Sequence, residues 1–381
     1  MSCPSVFMEF GEAAILTGAT IIQTEEMERA FAAHPAAALI GNLDTIVTTL
    51  QVGPALLPVT INDRRLSPTC YLCCPSVAYI DYAREELRNL AESPATKQIM
   101  DGLLRLAAPL MRATGFDHQV QPNNWLMATN IGCATGIVEI REVTRHLLAV
   151  HPDKAIIWRS LNDVSDRQMI ATFRDCDYGL YPARQVYLFD CRQEPVKIHR
   201  DEKRDLSLLA QSDLRLVGPR EIRATDFQRI ETLYAKLYLL KYTHLNPQYS
   251  ALWLQHMHEA GILHFYGLRN REGQLDGIVG FFDRDDVMSA PVVGYDTTIN
   301  PQAGLYRRLM AIGLKRARDR RLLFNMSAGA AGFKRNRGGV AAIEYSAVYN
   351  RHLPLRNRAA AAVVRMILQK IGIPIMRNYR L

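Results

Sequence analysis

Between Val287 and Leu353 the spacing of apolar positions switches repeatedly between the period of a strand and that of a helix. "VMSAPVVGYDTTIN" is dense in β-branched and aromatic residues and stops at Asn300-Pro301, which predicts a strand. After "PQAG", Leu305, Leu309, Ile312 and Leu314 fall near one face, with Arg and Lys on the other, predicting a helix over 304–320. "LLFNMSAG" reads as a second buried strand (322–328), "AAGFKRNRGG" as a short basic helix or loop, and "VAAIEYSAVYNRHL" as a third strand. Upstream, the same reading gives helices over 226–241 and 249–259, a strand over 262–269 and a hairpin over 274–284.

The first half repeats this order. "TEEMERAFAAH" predicts a helix opened by Thr24, and the run from Ala37 to Asp63 predicts strands broken at Gly41-Asn42 and Gly53-Pro54. "SPTCYLCC" reads as a buried strand followed by a helix after Pro75. "NNWLMATN", a helix over 136–150, "KAIIWRSLN", "SDRQMIATFRDCD" and "YPARQVYLFD" continue the alternation. The fold class is therefore mixed α/β, with a duplication suggested by element order. With 381 residues, 48% of them hydrophobic, two domains are expected, over 1–200 and 225–381. The charged stretch 201–224 is the linker between them.

No apolar run reaches the ~18 residues of a membrane span, and Glu9 and Glu12 interrupt any secretory leader. Seven cysteines at irregular spacings suit a reducing cytoplasm, the expected location. Net charge is +8 but uneven: residues 301–381 hold seventeen Lys or Arg against Asp319 and Glu344, a local +15. That third should face a phosphate-bearing or acidic partner. It contains a turn entering a basic helix, where free N–H groups and the helix dipole favour an anion. Neither G-x-x-x-x-G-K-[ST] nor G-x-G-x-x-G occurs, so P-loop and dinucleotide fingerprints are absent.

The turn Gln302, Ala303, Gly304, Leu305, Tyr306, Arg307, together with "NMSAGAAGFKRNRGG…IEYSAVYNRHLP", resembles the GNAT acyltransferase superfamily in its CelD/FemAB-like branch. The resemblance covers 215–381 well and the first half loosely. It implies two GNAT-like domains, each a mixed, mostly antiparallel sheet flanked by helices, the first one degenerate. It also implies acyl transfer from a pantetheine thioester, acyl-CoA or an acidic acyl-carrier protein, to a small amine or amino-acid acceptor by direct attack, with no tightly bound cofactor. Gln302, Ala303, Gly304, Tyr306, Arg307, Arg308, Asn325 and Ser327 would then hold the donor. An aminoacyl-tRNA donor and a catalytically silent binding module are the alternatives. The lack of a G-x-S-x-G elbow fits direct attack.

Asp296 in "GYDTT" reads as a general base, an ammonium holder or a structural hydrogen-bonder. Glu344 reads as a base or as half of a salt bridge. The resemblance places a functional lysine at Lys334, with Arg335 and Arg337 beside it for phosphate or carboxylate. It also places Tyr242, His244, Tyr295 and Tyr345 near the acceptor. Metal binding is not expected: Cys70, Cys73 and Cys74 lack a second pair at zinc spacing, and no H-E-x-x-H occurs. The segment from Leu355 is expected to form a basic amphipathic helix that stops before Gly372 and packs its apolar face on the domain, rather than lying on an anionic membrane.

Overall fold

In the computed structural model, which describes residues 6–63, 70–89, 93–132, 137–193, 196–211 and 213–379, the apolar runs join one eleven-stranded sheet. The chain opens with helices α1 (Val6–Ala33) and α2 (Ala36–Leu39) and a hairpin, β1 (Ile46–Val52) and β2 (Ala55–Ile61). Helices α3 (Tyr82–Glu86) and α4 (Pro94–Ala113) precede β3 (Gln119–Pro122), α5 (Ile137–Val150), β4 (Ala155–Asn162), α6 (Arg167–Asp175) and β5 (Gly179–Asp190). Then come α7 (Arg200–Ala210), β6 (Arg215–Val217), α8 (Phe227–Tyr234), α9 (Ala251–Glu259), β7 (His264–Arg269), β8 (Leu275–Arg284) and β9 (Val287–Tyr295). The chain finishes with α10 (Leu305–Asp319), β10 (Leu323–Asn325), α11 (Ala331–Arg335), β11 (Val340–Tyr349), α12 (Leu355–Ile367) and α13 (Ile373–Tyr379).

Two similar units are visible in the pairing. β1, β2 and β3 form an antiparallel triplet, and β4 returns parallel to β3 after α5. β7, β8 and β9 form a second triplet, and β10 returns parallel to β9 after α10. A helix crossover between parallel strands is what such pairing requires. The last strand of each unit is exchanged. β5 leaves the first unit to pair antiparallel with β10, and β11 leaves the second to pair with β4. β5 and β11 then pair with each other, so the sheet runs unbroken through both halves.

Several elements differ from the sequence reading. Thr24 lies inside α1, where its hydroxyl donates to Thr20 O and Leu56 O instead of capping a helix start. Residues 70–74 form a buried turn, not a strand; Pro75 and hydrogen bonds from Asn62 and Gln119 to Cys73 O hold it. The stretch read as a linker carries α7, whose Glu202 and Asp205 are fully buried. β8 is one strand, β10 spans three residues, and the last helix passes Gly372 through a π-helical turn, Leu368–Gly372.

α8 crosses β9 at Gly294, where an added Cβ would stand 2.6 Å from the backbone of Leu233 and Tyr234. Gly294→Ala should therefore destabilise the fold by about 1–3 kcal/mol, seen as a lower urea midpoint at unchanged slope. A wild-type midpoint would show that the helix does not pack this closely.

Candidate functional site

β10 is short because polar residues interrupt its apolar run. It pairs with β9 only as far as Asn325 opposite Ser289, while β9 continues to Tyr295. The two strands therefore part at that point. Asn325 Oδ1 accepts from Ser327 N at 2.9 Å and turns the chain, with Ser327 at φ 60°. The buried loop after β3 enters this split. Thr129 Oγ1 lies 3.3 Å from Ser327 Oγ, and Ser289 Oγ donates to Thr129 O at 3.4 Å.

On one face of the sheet, beside the split, β5 and β11 place Arg184 opposite Glu344. Cross-strand partners share a face, and Arg184 Nε reaches Glu344 Oε1 at 2.8 Å. Arg184 Nη2 also donates to Ala128 O at 2.7 Å and Thr129 Oγ1 at 2.8 Å. Pro182 falls where the β5–β11 register shifts, a place where a strand tolerates its missing donor. Arg159 on β4 lines a small adjoining cavity of about 40 Å³ with Tyr71, Tyr79, Gln121 and Ser346. Its guanidinium has only a 3.5 Å contact to Asn124 Oδ1 among the described residues. Burial raises the Tyr71 hydroxyl to about 12 despite the charges of Arg184 and Arg159. Burial also raises the Glu86 carboxyl, with Arg184 opposing it.

From the other face, Lys334 lies 5.8 Å over the Tyr187 ring and donates to Ser327 O at 3.0 Å and Ala328 O at 2.7 Å. Burial, with the Arg184 charge added, lowers its ammonium to about 7. Near neutrality the amine can satisfy both carbonyls and keep a lone pair free. A carboxylate-bound guanidinium and a near-neutral amine thus lie beside the parted strands on the two faces of the sheet, with Arg159 two strands beyond Arg184.

The other residues singled out from sequence lie elsewhere. The turn into α10 is covered: a Cβ on Gly304 would stand 2.8 Å from Leu208 of α7, and Gly304 and Leu305 are buried. Arg307 pairs with Asp205 at 2.6 Å, and Arg308 donates to Ala303 O and Leu208 O. Gln302 is exposed outside this cover, and Tyr306 packs its ring on Phe333 at 4.9 Å. The Leu208 side chain thus fills the space over Gly304, so the turn is not the open cradle expected. Asp296 is ion-paired to Lys236 at 2.6 Å and Arg229 at 2.7 Å. Burial alone would raise its carboxyl, but hydrogen bonds from Lys236, Arg229 and Thr298 hold it well below the usual range, too weak for a base.

Glu344 takes its salt-bridge role, whereas Tyr345 joins the cluster around Trp158. Arg337 is buried against Asp205 and over the Phe333 ring, while Arg335 is exposed. Tyr295 faces Tyr306 at 6.4 Å. Tyr242 and His244 line an open cleft of about 800 Å³ shared with α4. Among the described residues no cluster suited to a metal ion occurs. Arg159, Arg184, Thr129 and Glu86 were not foreseen. The available signal was a single arginine inside each of the otherwise apolar runs "AIIWRSL" and "YPARQVYLF".

No family model matches the chain, and no curated protein matches it. Among solved structures, similarity extends to the C-terminal domain of a protein described as a lysylphosphatidylglycerol synthetase from Agrobacterium fabrum. There the TM-score is 0.46 at 12% identity, over 66% of this chain and 82% of that one. FemX gives a TM-score of 0.43 at 6% identity, over 57% and 78%. A tandem GNAT protein from the clavulanic acid pathway gives 0.35 at 11% identity, over 60% and 75%. FemAB-like and GNAT proteins, the groups that the sequence resembles, are thus among these neighbours.

Replacing Arg184 by Met leaves Glu344 buried without its partner and should cost about 3–5 kcal/mol. Adding Glu344→Leu should recover part of that loss, so the cycle measured by urea unfolding is non-additive. Additive losses would mean that the pair does not interact.

Proposed function

We propose that the chain is a transferase that moves an acyl group from an activated ester to an amine at the split between β9 and β10. The reading is carried by the near-neutral Lys334 beside that split, on the face of the sheet opposite Arg184. A parted pair of strands lets an acyl carbonyl lie between the faces, so that an amine can attack it from one side while the leaving group departs on the other. The amine forms the new C–N bond, the ester C–S or C–O bond breaks, and Lys334 takes the proton that the attacking nitrogen loses. Arg159, with little else to bind, would hold an acidic group of donor or acceptor. Glu86, close to Tyr82, would be the carboxyl available to an amine.

The covered start of α10 removes the particular reason to prefer a coenzyme A donor. A pantetheine thioester and an aminoacyl-tRNA ester therefore remain as the two donor classes, and the assay distinguishes them. Purified chain is incubated with labelled acetyl-CoA or with a labelled aminoacyl-tRNA, and with a panel of primary amines. Amide formation from one donor is expected. Lys334→Met should lower kcat by about 10²–10⁴-fold with KM little changed, and Arg159→Met should raise KM. Because the proton acceptor must be neutral, wild-type kcat should rise with pH through about 7. The same lowered group makes the fold gain stability as pH rises from about 7 towards the ordinary lysine range near ~10, a slope that Lys334→Met should flatten. No amide from either donor, together with no thermal shift by either, would leave a binding module in place of an enzyme.

A further inference from the structure

Part of the positive charge in the last third is answered internally. Arg307, Arg316, Arg318, Arg320, Arg337 and Arg351 each pair with a carboxylate. The cations of the final helical segment, Leu355–Tyr379, are different: Arg356, Arg358, Arg365, Lys370 and Arg377 are exposed, and none has an ion-pair partner among the described residues. That segment contains no Asp or Glu.

Its apolar residues are left outside as well. Asn357, Ala361 and Val364 face inward, and Asn357 Nδ2 donates to Ala113 O at the end of α4. On the opposite side Leu355, Ala359, Ala362, Val363 and Met366 recur at helical spacing and are exposed, Leu355 at 75% and Met366 at 55%. Arg358 and Arg365 flank this stripe along one edge, and Arg356 along the other. Only 22% of the segment's most apolar window is buried, although its mean hydropathy of 1.5 would suit a core helix. The neighbouring α4 repeats the pattern, with Ile99, Leu103 and Leu106 exposed at i, i+4 and i+7, Leu106 at 77%. Of the seventeen large apolar side chains exposed among the described residues, seven lie on these two helical segments. Such a concentration marks a docking surface, not scattered exposure.

We infer that α4 and the final helical segment form a surface that lies on an anionic membrane. An apolar stripe edged on both sides by unpaired cations suits a helix lying in the plane of the headgroups, its apolar side chains among the acyl chains and its cations on lipid phosphates. The cations inside its most apolar stretch argue against a helix passing through the bilayer, because Arg365 and Lys370 would have to enter the hydrocarbon. Charge complementarity selects the occupant: a second copy would bring the same cations against themselves, whereas an anionic surface answers them. The inner flank of α4, through Lys97 and Asp101, borders the cleft of Tyr242 and His244, so docking would bring the mouth of that cleft to the lipid surface.

The test is sedimentation of the full chain with vesicles of phosphatidylcholine alone or mixed with phosphatidylglycerol. Binding is expected to the mixed vesicles, to weaken with salt and to be released by a carbonate wash. Arg358→Gln and Arg365→Gln should each weaken it about fivefold. The triple variant Leu103→Ser, Leu106→Ser, Met366→Ser should reduce it to the phosphatidylcholine background with melting temperature unchanged, since all three side chains are exposed. Equal binding to neutral vesicles, or full binding by the triple variant, would overturn the inference. So would resistance to carbonate, which means a spanning helix. A dimer detected by light scattering and lost in the triple variant would assign the surface to a second copy instead.

Discussion

The ion pair between Arg184 and Glu344 sits where the two exchanged strands meet, and the architecture turns on it. Each residue belongs to a strand that has left its own unit, so their contact exists only when both crossings have been made. A buried charge without its partner is expensive, which penalises arrangements in which either strand folds back into its own half. Arg184 then extends the link to Ala128 and Thr129, and Thr129 lies between Ser289 and Ser327 at the parted strands. One guanidinium therefore ties the strand exchange to the opening where the chemistry is proposed.

A second set of charges fixes the flank of the sheet. α7 runs antiparallel to α10 and supplies Glu202 to Arg318 and Asp205 to both Arg307 and Arg337. The excess of base in the last third and the excess of acid before it are thus partly one interface, folded together. What looked like a field awaiting an external anion is answered in part at α10, whereas the cations of the C-terminal helix have no ion-pair partner among the described residues. Leu208 over Gly304 is the packing consequence of that interface, and it closes the helix end that an anion would have used.

Local periodicity made most elements legible: β9, α10, β11, α8 and α9 lie close to where apolar spacing put them. The repeated order of elements also showed in the sequence, because each unit alternates period-two and helical runs in the same succession. The exchange of β5 and β11 did not, since pairing partners far apart in sequence leave no mark on the spacing within a strand. The same limit explains the site residues. Glu344 was noticeable as one of two acids in a basic stretch, but its partner Arg184 lies 160 positions away. Lys334 was selected by resemblance, and only its burial accounts for a near-neutral amine. Asp296 looked reactive because Lys236 and Arg229, which neutralise it, come from a different element. Residues 70–74 looked like a strand because buried cysteines and leucine are equally apt for a turn packed under α3.

Hydrogen exchange of the full chain, followed peptide by peptide with and without acetyl-CoA or an aminoacyl-tRNA, tests the central claim most directly. If the reacting groups meet at the split over the exchanged strands, the donor that binds should slow exchange across 70–89, 123–132 and 326–335. Protection confined to 300–308, at the start of α10, would contradict the account and return the donor to the helix end that α7 covers.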